Sequence, residues 1–215
     1  NKICGAFVIW QILKEYAIRY GTSLQQEAID RLIVFVGIGT VADIMPMVCE
    51  NRLAVKESLR ILKWLMPSDE IIETYQTFDK YMTTPLSGYH SLGSSYQYKV
   101  AFSGLQRLMW YFASEKHKKH RDIDEDFFGF TLAPMFNSVK RLNKNIESAF
   151  GVFFDISQSY YYITELYELN EERKKVVENE MKALVEIDQP FAPFIYLSDA
   201  PSGILGLLAT KLISA

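Results

Sequence analysis

The residues best suited to chemistry in this chain lie in the run Gly39-Thr-Val-Ala-Asp-Ile-Met-Pro-Met-Val-Cys-Glu-Asn-Arg52. A strongly apolar segment, Leu32 to Ile38, delivers one carboxylate, Asp43, into a short turn closed by Pro46. Glu50, Asn51 and Arg52 follow at once and open an amphipathic helix. Carboxylate oxygen is the preferred ligand of hard divalent ions, so an acid at the mouth of an apolar element has the chemistry of a Mg²⁺ or Mn²⁺ ligand. A competing reading makes Asp43 a turn former ahead of Pro46, spending its side chain on its own backbone.

Other chemistry-bearing groups have simpler explanations. Asp122-Ile-Asp124 has the DxD spacing of metal phosphoesterases, but its place just before Phe127–Leu132 marks it as acidic charge at a helix N-terminus, favoured by the macrodipole. Every position from Lys116 to Arg121 carries or can carry positive charge. Beside a single strand such a run could neutralise phosphates and release counterions; a solvated loop ahead of a helix is the commoner origin. Cys4 and Cys49 offer neither a disulfide framework nor a CxxC knuckle, and they fit a reducing cytoplasm.

The string GTVADIMP followed by ENR resembles a motif of RecJ-type exonucleases, in the DHH phosphoesterase superfamily. Ile3-Cys-Gly-Ala-Phe7 is similar to the glycine-bearing helix that precedes that motif. Phe128 to Leu142 (FGFTLAPMFNSVKRL) resembles the family stretch GFxIAPRLNAAGRL, and Leu169-Asn-Glu-Glu-Arg173 resembles its LNxxR. Gly203 to Lys211 (GILGLLATK) resembles the GVVGIVASR that opens the family's DHHA1 domain. These matches come in the family's order and cover most of the chain outside residues 67–100.

The resemblance implies a two-metal phosphodiesterase using Mn²⁺ or Mg²⁺, with Asp43 as one metal ligand. It places Asn137 and Arg141 on the Asn and final Arg of RLNAAGR, where Arg141 would grip phosphate through a guanidinium fork. Lys140 stands where that motif has Gly and would add a point charge. Thr210 and Lys211 stand where the family has Ser and Arg, which suit a 5′-phosphate pocket; a capped, solvated helix end is the alternative for this pair. Met135 replaces the motif's first Arg, and Pro201 replaces a His. No DHH signature is present, and none of His90, His117 or His120 has an Asp in that arrangement. One carboxylate does not satisfy two divalent ions, so this stretch alone is expected to be inactive.

The implied function is 5′-to-3′ hydrolysis of single-stranded DNA in repair and recombination, with a single-strand-binding protein as a further candidate partner. Two alternatives are a RecJ-like protein that has lost catalysis and serves as a binding or assembly module, and a DHH phosphodiesterase acting on short oligonucleotides or cyclic dinucleotides. The departures at Met135, Lys140 and Pro201 motivate the first of these.

The elements that must position these residues are mostly helical. The chain has 215 residues, 49% apolar and 23% charged, with net charge −3, enough for a sizeable core and against a generally basic nucleic-acid-coating protein. No secretory signal is evident, and no apolar run reaches the roughly 20 residues that span a bilayer, so a membrane is not an expected partner. Helical periodicity predicts helices over residues 3–20, with Ile3, Phe7, Trp10, Leu13, Ala17 and Tyr20 on one face, over about 24–36 with Ser23 as cap, and from Asn51 to Pro67. Residues 67–100, rich in Ser, Thr, Tyr and Gly, read as a surface excursion holding one short helix over Asp69 to Tyr81. A helix over about 103–113 follows, and the longest is expected from Asp155 to Glu186. Pro190 and Pro193 mark a linker, Phe194 to Leu197 a short buried strand, and Ser202 can cap the last helix. Asn1 and Ala215 both fall inside helical periodicity, as in an excised internal fragment. The expected class is therefore α/β and helix-rich: the C-terminal half of a DHH domain over 1–155, a connecting helix over 156–189, and the first strand and helix of a DHHA1 domain over 190–215.

Overall fold

The computed structural model describes residues 2–77, 80, 96–155, 157–187 and 195–214. Most of the expected excursion and the Pro190–Pro193 linker lie outside them. The described chain is helix-rich, as expected. Its helices are α1 (Gly5–Tyr20), α2 (Ser23–Arg31), α3 (Ile33–Ala42), α4 (Cys49–Leu65), α5 (Asp69–Tyr75), α6 (Tyr96–Ser114), α7 (Ala133–Arg141), α8 (Glu147–Phe154), α9 (Ser159–Ala183) and α10 (Ser202–Ser214). A single turn of 3₁₀ helix (His120–Asp122) and a π-helical stretch (Phe127–Leu132) lead into α7.

α6 supplies the centre of the body. Leu105, Leu108, Met109 and Phe112 are wholly buried, and Phe112 meets Phe127 edge-to-face at 5.0 Å. Each such side chain contributes about 1.5–3 kcal/mol through burial alone, so α6 and the elements covering it, α4, α8 and α9, form the main core. α9 extends from this core through Ile163 and Leu166, both fully buried, and Leu169, which is nearly so. Phe153 of α8 stands between Phe35 of α3, edge-on at 5.4 Å, and Phe136 of α7, stacked at 5.6 Å. That aromatic sequence ties the helix ending at Asp43 to the helix carrying Asn137 and Arg141.

α3 is held just as firmly by α4. A Cβ on Gly37 would lie 2.8 Å from Ala54 O and collide with the Ser58 hydroxyl, so only glycine permits this approach. Ser58 Oγ lies 2.8 Å from Ile33 O, tying α4 to the start of α3. A smaller core of Cys4, Phe7, Val36 and Ala54 seats α1 on these two helices.

Several expectations need correction. The single helix expected over 24–36 is two, because the chain breaks at Leu32 and restarts as α3. Its cap is Thr22, not Ser23: Thr22 Oγ1 accepts from Gln25 N–H while Gln25 Oε1 accepts from Thr22 N–H. In α1, Phe7 and Ala17 are buried, but Tyr20 is 74% exposed, so the inward stripe stops short of the helix end. The longest helix ends at Ala183, and Val185–Ile187 turns out to be a strand. It pairs antiparallel with Ile195–Leu197, Glu186 opposite Tyr196. The second strand is not fully buried, since Leu197 is 63% exposed.

Candidate nucleic-acid interface

Asp43 is the C-cap residue of α3, at the carboxyl end of the apolar segment. Its turn is built by the backbone: Asp43 N–H donates to Gly39 O, Ile44 N–H to Val41 O and Met45 N–H to Thr40 O. Among the described residues the Asp43 carboxylate accepts no hydrogen bond, so the turn does not consume it. It is exposed, and Ile44 beside it is 89% exposed with a positive φ of 54°. Among the described residues no group of three His, Cys, Asp or Glu side chains could hold a metal ion. Asp43 can offer one carboxylate; the described residues do not complete a site around it.

The acidic pair downstream has a local task. Asp124 Oδ1 accepts from Phe127 N–H at 2.8 Å, and Asp122 Oδ2 accepts from Lys119 N–H at 2.8 Å. Both acids organise the entry to the π-helical stretch. The basic run is partly neutralised: Lys119 pairs with Asp69 at 3.1 Å, and Lys116 Nζ sits 3.6 Å from the centre of the Tyr167 ring.

α7 presents Asn137, Lys140 and Arg141 at i, i+3 and i+4, one helical face. Asn137 and Lys140 are exposed, and Arg141 is half-buried. Met135, where the resembled motif has Arg, is 1% exposed and belongs to the core, so that position faces away from any ligand.

Arg141 is not alone. Arg173, on α9, is half-buried, and its Nε donates to Oδ1 of buried Asn170 at 3.1 Å. Burial, and then the positive charge of Arg141, hold the Arg173 guanidinium below its usual pKa range, with Glu171 pulling the other way. The charge of Arg141, on a helix packed against α9, is thus felt at Arg173. The first turn of α10 closes the same corner. A Cβ on Gly203 would lie 2.6 Å from Arg141 Cα and 2.8 Å from Arg141 O, so glycine alone lets α10 begin against the end of α7. Ile204 N–H is used by Pro201 O at 2.8 Å, and Ser202 is the first helical residue rather than a demonstrated cap. The positive end of the α10 dipole therefore lies against the last turn of α7, at the backbone of Arg141. Arg173 escaped the list of site residues drawn from sequence; the LNxxR match, with Asn170 buried to orient the Arg, was the available signal.

Thr210 and Lys211 are elsewhere. They lie seven and eight positions beyond Gly203, roughly 10–12 Å along α10 at 1.5 Å per residue. Thr210 Oγ1 donates to Gly206 O at 2.9 Å, and Lys211 is close enough to Glu178 to help lower its pKa, behind the larger effect of Lys182. The corner thus sets the α10 N-terminus against Arg141, whose charge reaches Arg173, and leaves Thr210 and Lys211 at the helix's other end.

A helical body with a cationic corner and an exposed acid is the class these features define. Crystal structures of RecJ have the same fold over most of this chain. RecJ from Thermus thermophilus in complex with Mn²⁺ aligns over 86% of this chain and 22% of its own, with TM-score 0.56 and 19% identity. The same protein with Mg²⁺ aligns over 86% and 24%, with TM-score 0.54 and 19% identity. A further exonuclease RecJ bound to manganese aligns over 85% and 37%, with TM-score 0.52 and 18% identity. The chain spans between about a fifth and two fifths of those proteins' lengths. No family model and no curated protein matches the sequence. Among the described residues no helix is long and apolar enough to cross a membrane.

Proposed function

We propose that this chain is the substrate-gripping part of a RecJ-like phosphodiesterase that degrades single-stranded DNA from the 5′ end in repair or recombination. Arg141 and Arg173, with the first turn of α10, hold a backbone phosphate; Asn137 and Lys140 extend the contact along α7. Asp43 contributes one carboxylate to a divalent-metal set, Mn²⁺ or Mg²⁺, whose other ligands lie outside the described residues. No chemical step is assigned to that ion, because the described residues do not complete its site. Thr210 and Lys211 stay candidates for a more distant phosphate.

The observation that carries this reading is the packing of α7, with half-buried Arg141, on α9, with half-buried Arg173, where α10 begins against the Arg141 backbone. Placing like charges together against desolvation costs stability, and an anion between them relieves that cost. The test is titration of a labelled single-stranded oligonucleotide at several salt concentrations, using wild type and the Arg141→Ala and Arg173→Ala variants. Both variants should bind more weakly and with a shallower salt dependence; unchanged slopes for both would remove the phosphate site.

A second reading, a binding or assembly module without catalysis, is favoured by one finding: Met135 is buried in the core where the resembled motif carries Arg. Hydrolysis of a labelled single strand by the full-length protein with Mn²⁺ separates the two. Binding with no hydrolysis selects the module.

A further inference from the structure

Asn51 is 3% exposed and lies in the first turn of α4, yet its side chain works on two other segments. Nδ2 donates to Lys2 O at 2.6 Å and to Pro46 O at 2.9 Å. Both amide protons are spent on main-chain carbonyls, while Oδ1 is buried with no hydrogen-bond partner among the described residues. Pro46 closes the turn that begins at Asp43, and inside that turn Ile44 adopts a φ of 54°. A β-branched residue in the left-handed region is strained and persists only where its surroundings enforce it. Ile44 N–H on Val41 O and Met45 N–H on Thr40 O tie the start of this turn, and Pro46 O at its end accepts both Val48 N–H and the Asn51 amide, each at 2.9 Å. A second tie runs parallel: Cys4 Sγ lies 3.8 Å from Val36 O and 3.5 Å from Thr40 Oγ1.

We infer that Asn51 is a positioning residue: by bridging Pro46 O and Lys2 O it holds the strained Ile44 turn shut and so fixes the direction of the Asp43 carboxylate. This rests on the reading of Asp43 as a group required for hydrolysis. The amide touches no reacting atom; it acts through the turn.

The experiment uses the full-length protein with Asn51→Leu, which keeps the approximate volume and removes both donors. Amide hydrogen exchange over residues 43–48 should quicken about tenfold while residues 54–65 stay as protected as in wild type. In single-strand hydrolysis kcat should fall about tenfold, the scale of lost outer supporting contacts, with KM for the oligonucleotide unchanged. Adding Ile44→Gly, which accepts a positive φ without strain, should recover most of the lost kcat. A merely structural asparagine would instead quicken exchange throughout α4, lower the melting temperature and show no rescue by Ile44→Gly; that result overturns the inference. Should Asn51→Leu fail to fold, Asn51→Ser, whose single hydroxyl proton can serve only one carbonyl, is read by the same measurements. Asp43→Ala run in parallel separates the failures. Loss of activity there with wild-type kcat in Asn51→Leu overturns only the positioning role. Full activity in Asp43→Ala overturns the role assigned to Asp43, and the positioning role with it.

Discussion

At the end of α3 a single carboxylate stands exposed on a turn whose own hydrogen bonds ignore it, whereas α7 and α9 pack together carrying two half-buried arginines, with α10 beginning against the backbone of one of them. The first region is rigidly built and chemically incomplete. The second draws on three helices of this chain, and in the reading proposed above it is the part that binds an anion. The difference follows from ligand demand. A hard divalent ion wants several oxygens converging from separate segments, but a phosphate is satisfied by a cationic fork or two and a few backbone amides. In the proposed reading, a part of a fold shared with RecJ carries the grip without carrying the chemistry.

This contrast can be broken at several points. The largest effect is expected from Asp43→Ala in the full-length protein: hydrolysis should fall by more than the about 10–100-fold that changes to outer supporting residues cost, while circular dichroism stays that of wild type. Retained activity would make the exposed acid incidental. The 215-residue chain, freed of contaminating nuclease, should leave a labelled single strand intact with Mn²⁺ or Mg²⁺ while still binding it. Degradation would show that the site at Asp43 is completed within this chain. Gly203→Ala drives a Cβ into the Arg141 backbone, so it should destabilise the protein by about 1–3 kcal/mol, read as a lower melting temperature, and weaken single-strand binding. An unchanged melting temperature would mean α10 does not begin against α7.

Smaller effects sharpen the cationic side. Removing one phosphate contact on a single strand flattens the log–log salt slope by about 0.7, which is the expectation for Arg141→Ala. Arg173→Ala should do the same, and the double variant should depart from additivity because the two side chains interact. The smallest effect is reserved for Lys211→Ala: stability within about 0.5 kcal/mol of wild type and a salt slope equal to wild type for oligonucleotides too short to reach from Arg141 to the far end of α10. A slope change with such oligonucleotides would merge the two ends of that helix into one site.

Much of the local structure was legible because its causes are local. Apolar spacing marked α1, α4 and α9, and an apolar run ending in an acid placed Asp43 at an element's carboxyl end. The acids at 122 and 124 read correctly as groups organising a helical entry. The break at Leu32 was not legible, because apolar residues run straight through it; what distinguishes α3 from α2 is its close seat on α4 at Gly37 and Ser58. The strand Val185–Ile187 was hidden for a similar reason, since it exists only through pairing with Ile195–Leu197.

By itself the sequence determined which side chains were available: one acid after an apolar run, a face of α7 bearing Asn137, Lys140 and Arg141, and glycines where helices would need to touch. Tertiary structure alone decided which of them meet. Arg141 comes within electrostatic reach of Arg173, thirty-two positions away, because α7 packs on α9, and Gly203 meets the Arg141 backbone because α10 returns to the end of α7. Asn51 reaches Lys2 O because α1, α3 and α4 share a core. Thr210 and Lys211, close to Gly203 along the chain, are carried away from that corner by the rise of their own helix. Helical periodicity is set by neighbours three and four residues apart, whereas a binding corner depends on packing between helices distant in sequence.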